Sequence, residues 1–179
     1  MDYWENKIYS KGRHLNKYPF DAVVSFVFRY YNRKTNKSDQ RILELGCGAG
    51  NNLSFAQKEG FKVVGVDISE SAIEYCKSRF RQEGLYGEFF QGDFSKINLA
   101  PNSIDLVIDR ASICCCPIES QKKVIEKVFY ALKPNGVLSF LASIIISLKS
   151  SKDTQEAIIP NGLYFSIFFA TVINFSPEG

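Results

Sequence analysis

Arg41-Ile42-Leu43-Glu44-Leu45-Gly46-Cys47-Gly48-Ala49-Gly50 is a short apolar run that breaks into a glycine-rich turn. The run reads as a first strand. Residues 51–59 after the turn read as a helix, which Gly60 stops because it can take the left-handed conformation that closes helices. Residues 61–67, Phe-Lys-Val-Val-Gly-Val-Asp, read as a second strand that ends on an acid. Strand, glycine turn, helix and strand in this order form a unit of a parallel α/β sheet. Asp67 lies 21 residues after Gly46, the separation expected of an acid that hydrogen-bonds a ribose diol. The unit therefore predicts a nucleoside-like ligand at the carboxyl ends of the strands.

The same alternation continues along the chain. Ser71 and Glu74 have the spacing of a capping box, and Ala72, Ile73, Cys76 and Phe80 keep helical period up to Gly84. Residues 88–91 and 103–109 read as the third and fourth strands. Residues 119–133 read as an amphipathic helix with Val124, Ile125, Val128, Phe129 and Leu132 on one face. Pro134-Asn135-Gly136 is expected to end that helix, and residues 137–146 to form a fifth strand. In front, residues 19–32 read as an apolar helix with Pro19 in its first turn. Residues 163–175 are β-branched and aromatic enough for one last strand. The fold expected is α/β, with a mainly parallel sheet and helices on both faces. The whole of 1–179 is expected to be one domain: a lid and helix segment (1–38), a cofactor-binding core (40–146) and a C-terminal segment (147–179).

The turn also discriminates between nucleoside cofactors. A dinucleotide site uses G-x-G-x-x-G so that a pyrophosphate can rest on the helix N-terminus. Here the third glycine, Gly50, arrives one position early and Asn51 follows it. Glu44 beneath the loop would repel a phosphate. A ligand with a positive end and no phosphate, such as S-adenosylmethionine with its ammonium and sulfonium, suits that carboxylate better than NAD does.

Residues 42–50 resemble motif I of class I S-adenosylmethionine-dependent methyltransferases. Residues 63–69 are similar to the family's second motif, and Gln91-Gly92-Asp93-Phe94 to its third. Residues 104–110 resemble the fourth-strand motif and residues 132–138 the later one. The resemblance implies a Rossmann-like methyltransferase fold with S-adenosyl-L-methionine as cofactor. It implies that Gly46, Cys47, Gly48 and Gly50 let the backbone approach the methionine part, with Glu44 as counter-charge. Asp67 would hold the ribose hydroxyls and Ile68 would pack on the adenine. Asp93, after Gly92, would accept from the adenine amino group, and Phe94 would flank the ring. Asp109 and Arg110 would lie near the methyl donor and the acceptor mouth. Residues 9–19 are similar to members associated with bacterial surface-polysaccharide synthesis. The family's sheet closes with a C-terminal hairpin, which the residues after Gly136 are expected to hold in shortened or incomplete form.

Composition narrows the acceptor. Lys and Arg number 22 against 19 Asp and Glu, a formal net charge of +3. That is too small for the footprint of a nucleic-acid enzyme, whose affinity rests on neutralising phosphates. The loop Asp109-Arg110-Ala111-Ser112 lacks the Asn-Pro-Pro-Tyr-like element of base-amine methyltransferases. Together with the likeness of residues 9–19 to surface-polysaccharide members, this makes a small-molecule or glycan hydroxyl the expected acceptor. His14, the single histidine, is a candidate to take its proton, with Asp109 as the competing base. The five cysteines, three of them at Cys114-Cys115-Cys116, show no C-x-x-C spacing, so neither a metal site nor a disulfide framework is expected. The start of the chain has no cationic and apolar leader, and no apolar run reaches the roughly 20 residues of a membrane span. A cytoplasmic protein is expected. Two rivals stand beside the methyltransferase: a catalytically silent cofactor-binding scaffold, and an NAD-dependent oxidoreductase.

Overall fold

The computed structural model describes residues 3–140 and 171–174. Five strands run parallel: β1 (Arg41–Leu45), β2 (Lys62–Asp67), β3 (Glu88–Gln91), β4 (Ile104–Asp109) and β5 (Leu132–Phe140). A sixth, β6 (Thr171–Asn174), pairs antiparallel with β5. The spatial order is β3-β2-β1-β4-β5-β6. The helices are α1 (Asp21–Tyr30), α2 (Asn51–Lys58), α3 (Glu70–Glu83) and α4 (Ile118–Ala131). Leu45 of β1 pairs with Val66 on one side and Asp109 on the other. The chain thus leaves β1 in opposite directions in successive halves, which opens a crevice beyond the carboxyl ends of β1 and β4.

Period-two alternation decides what each face carries. Leu43, Leu45, Val64, Val66, Val107 and Leu138 meet Val124, Val128 and Ala131 of α4. Ile42, Val63, Leu106, Ile108 and Val137 point the other way. They meet Val23, Phe26 and Val27 of α1, Leu53 and Ala56 of α2, and Ile73, Cys76 and Phe80 of α3. Burial on both faces explains why β1, β2 and β4 read as nearly continuous apolar runs, and each such apolar side chain contributes about 1.5–3 kcal/mol. Glu44 shares the face of Ile42, so its carboxylate points toward α2.

Several boundaries differ from those expected. α1 begins at Asp21 rather than Pro19, because Phe20 is extended and the Asn52 side chain takes its amide at 3.0 Å. Ser69, not Ser71, caps α3: its hydroxyl accepts from Ala72 N at 3.0 Å, while Glu74 pairs with Lys77 at 3.2 Å. Pro134-Asn135-Gly136 does not separate α4 from its strand. α4 stops at Ala131, β5 already starts at Leu132, and the three residues form an irregularity where the β4–β5 register shifts, with Asn135 at φ 65°. The expected strand at 137–146 lies outside the described residues beyond Phe140, as does that at 163–175 apart from residues 171–174. The expected C-terminal hairpin likewise falls mostly outside them. Among the described residues, no helix is long and apolar enough to cross a membrane.

Candidate active site

The glycine turn after β1 is fastened to the end of β2. The amides of Gly46 and Cys47 both donate to Val66 O, at 2.8 and 3.0 Å, and Gly48 N donates to Asp67 Oδ2 at 2.8 Å. Gly48 at φ 52° and Gly50 at φ 73° occupy the left-handed region. Glycine is needed there for space as well as conformation. A Cβ at Gly48 would strike the Tyr9 hydroxyl, and one at Gly50 the Cys76 sulfur. Gly46 adopts φ 68° beside Ser112.

Two carboxylates converge behind this turn. Asp67 Oδ1 accepts from Ser69 N at 2.9 Å, so each of its oxygens takes one amide and keeps a lone pair for a further donor. Burial pushes the Asp67 carboxyl above its ordinary range, against the lowering effect of those amides. Glu44 is 2 % exposed. Its Oε1 accepts from Asn52 Nδ2 at 2.6 Å, while Oε2 is buried with no partner. Burial is the main cause that pushes its carboxyl up to about 8, and the Asn52 bond opposes it. An orphaned buried carboxylate oxygen costs free energy that a cationic ligand would recover.

Residues 4–20 cover the crevice from outside. Trp4–Ile8 and Tyr9–Lys11 form consecutive short helical turns ending on Gly12. Glu5 reaches the first turn of α3, where it accepts from the Ser69 hydroxyl and the Ser71 hydroxyl, both at 2.6 Å, and from Ser71 N at 3.2 Å. Further along, Arg79 donates to Asn16 O, and Asn51 Nδ2 to Tyr18 O at 2.8 Å. Tyr9 thereby lies against Gly48, and burial raises its phenol well above the ordinary value, so it stays a neutral hydroxyl. His14 meets Trp4 edge-on at 6.0 Å.

The loop after β4 forms the opposite wall. Asp109 Oδ1 accepts from Ser112 N and Ile113 N, each at 3.0 Å, and so shapes that loop from below. Asp109 is fully buried, its Oδ2 has no partner, and burial pushes its carboxyl up to about 6. The Arg110 guanidinium lies 3.3 Å from the centre of the Phe20 ring. Cys115 and Cys116 direct their thiols at Ala111 O and Ser112 O, and the Cys114 thiol is pushed up to about 11 by burial and its neighbour Cys115. Burial raises the Cys116 thiol as well, so Cys114 and Cys116 make a wall rather than nucleophiles.

Together these elements enclose a cavity of about 790 Å³. Of the residues singled out in the sequence, His14, Glu44, Gly46, Cys47, Gly48, Asp67, Ile68, Asp93, Phe94 and Arg110 line it. Gly50, Gly92 and Asp109 do not: Gly50 packs against α3, Gly92 N bonds to Asp67 O at 2.8 Å, and Asp109 lies beneath the loop. Asn51, Asn52 and Tyr9 also line the cavity. The sequence showed the asparagine pair directly after the glycine turn, but not that α2 would aim it back at Glu44 and the N-terminal segment. Among the described residues no cluster of His, Cys, Asp or Glu could hold a metal ion.

Fold and cavity define a Rossmann-like α/β domain with a nucleoside-type site at the switch point of its sheet. The family described as "Methyltransferase domain" matches residues 42–136, more than half of the chain. The chain belongs to the class I S-adenosylmethionine-dependent methyltransferase family. It is 26% identical over 150 residues to a malonyl-[acyl-carrier protein] O-methyltransferase of Enterobacter lignolyticus, covering 84% of this chain and 55% of that protein. It is 34% identical over 111 residues to a thiol S-methyltransferase of Rattus norvegicus, covering 60% and 44%. A solved S-adenosylmethionine-dependent methyltransferase from Methanosarcina mazei superposes with a TM-score of 0.57 at 26% identity, covering 64% of this chain and 55% of that one. The chain spans about half the length of the curated relatives it matches.

Proposed function

We propose that this chain binds S-adenosyl-L-methionine in the crevice beyond β1 and β4 and transfers its methyl group to a small-molecule or sugar-like hydroxyl, with residues 1–179 acting as one domain. The observation that carries the proposal is Glu44, a cavity-lining carboxylate whose buried Oε2 lacks a partner and so fits a ligand with a cationic end. The bound donor supplies a sulfonium methyl group open to in-line displacement. The chain's own residues bind and orient. Asp67 offers two half-used oxygens to a ribose diol, and Asp93 with Phe94 bounds the space for the base. The Gly46–Gly48 backbone admits the amino-acid end. Relatives named as a malonyl-[acyl-carrier protein] O-methyltransferase and a thiol S-methyltransferase fit a common donor side with different acceptors. Of the two candidate bases, His14 lines the cavity and Asp109 does not, so His14 takes the acceptor proton and Asp109 positions the loop.

Calorimetry with S-adenosylmethionine and S-adenosylhomocysteine tests the donor site. Asp67→Asn should weaken binding about tenfold or more while the thermal midpoint shows that the fold is kept. Unchanged binding would remove Asp67 from the site, and no binding by the wild type would overturn the proposal. For the base, His14→Ala should lower turnover about 10²–10⁴-fold with donor affinity nearly intact. Wild-type turnover would dismiss that assignment, and robust methylation of nucleic acid but of no small molecule would overturn the acceptor class.

A further inference from the structure

Beside the donor cavity, the turn Phe94–Lys96 that follows β3 faces α4 across a second hollow of about 510 Å³. On α4, Ser120, Lys123 and Lys127 recur at i, i+3 and i+7 and share one flank, while Val124 and Val128 turn into the core. Asp93, Ser95, Lys96 and Glu126 complete the lining. Asp93 and Ser120 line the donor cavity as well, so the two spaces share a wall.

The hollow gathers several uncommitted donors. Elsewhere on α4 Lys122 is paired with Glu119 at 3.4 Å, but among the described residues Lys96 and Lys123 have no ion-pair partner, and neither has Glu126. Lys127 gives one N–H to Ile97 O at 3.1 Å and keeps two. Asp93 has one oxygen committed to Ser95 N at 2.8 Å. Three ammonium groups against two carboxylates leave the lining with an excess of positive charge, and Ser95 and Ser120 add two hydroxyl donors. That many separate donors suit a group with three terminal oxygens and a charge near −2, a phosphomonoester, better than a singly charged, two-oxygen carboxylate.

We propose that this hollow, lined by Lys96, Lys123 and Ser120, is a subsite for the phosphoryl group of a phosphomonoester. It adjoins the end of the donor cavity that Asp93 and Phe94 bound for the base, away from the Gly46–Gly48 end, so its ligand is bound apart from the methyl acceptor.

Amide chemical shifts of the full chain, with and without S-adenosylhomocysteine, test it using glucose 6-phosphate, glucose, and phosphatidylcholine vesicles with or without phosphatidic acid. Glucose 6-phosphate should give saturable shifts at Lys96, Ser120 and Lys123 that glucose does not. Lys96→Gln/Lys123→Gln should weaken that binding about tenfold or more. A response only to phosphatidic acid vesicles, lost in the same variant, would support the phosphoryl subsite and place its source in a lipid headgroup. No saturable response to either phosphate, equal shifts with glucose, or binding unchanged in the variant would overturn the inference. Calorimetry on the same samples separates the two claims. The variant should keep wild-type affinity for S-adenosylhomocysteine, and failure of the wild type to bind it would count against the methyl-transfer function while the phosphate titration of the ligand-free chain still reads the subsite.

Discussion

Glu44 illustrates how one buried group can tie ligand affinity to pH. With its carboxyl pushed up to about 8, Glu44 is mostly protonated in the ligand-free protein at neutral pH. A cationic ligand end favours the ionised form, so binding should release a proton and drag the carboxyl back toward its ordinary range. Affinity for S-adenosylmethionine should then rise with pH up to about 8 and level off above it. Glu44→Gln should flatten that profile and weaken binding most at pH 8 and above, which calorimetry across pH 5.5–9 reads. The stability sign is opposite. A carboxyl raised in the folded state contributes stability that is complete below its ordinary 4.5 and is lost as pH rises through about 8. The glutamine variant should therefore melt higher than the wild type at pH 9. A site that sacrifices stability for function behaves this way.

At the scale of elements, the segment 4–20 is held to the helices it covers by polar contacts at its two ends. Glu5 holds one end at the first turn of α3, where three donors converge and draw its carboxyl below the ordinary range. The other end is held by Asn51 and Asn52 of α2 through Tyr18 O and Phe20 N. Asn52 does two tasks at once, because its oxygen takes Phe20 N while its nitrogen steadies Glu44. Trp4, Tyr9 and His14 line the donor cavity from this segment, so loosening it should ease the ligand's exit. Glu5→Ala should speed release of S-adenosylhomocysteine roughly three- to tenfold in stopped-flow displacement, with a smaller effect on the thermal midpoint, because local opening costs less than global unfolding. An unchanged release rate would show that Glu5 does not restrain the segment.

For the molecule as a whole, what was legible in the sequence followed the rules of local order. The strands buried on both faces announced themselves as apolar runs, the turn by glycines that no side chain could replace, and Asp67 by its distance from Gly46. What escaped depended on approach across the fold. Tyr9 over Gly48, Glu5 on α3 and Asn52 beneath Glu44 join segments distant in sequence, and no periodicity records such meetings. The cap of α3 sits two residues earlier than the spacing suggests: Ser69 and Ser71 both donate to Glu5, but Ser69 directly precedes the helix and so is the one that accepts from Ala72 N. The strand order has one more consequence, for how the chain is made. β1 finds β2 within a few turns of synthesis, but its other neighbour, β4, emerges about sixty residues later. Until then the central strand presents a bare edge, and a nascent chain halted inside that interval exposes it to any passing strand. The strand that organises the crevice is thus also the most exposed to misassembly while the polypeptide is still on the ribosome.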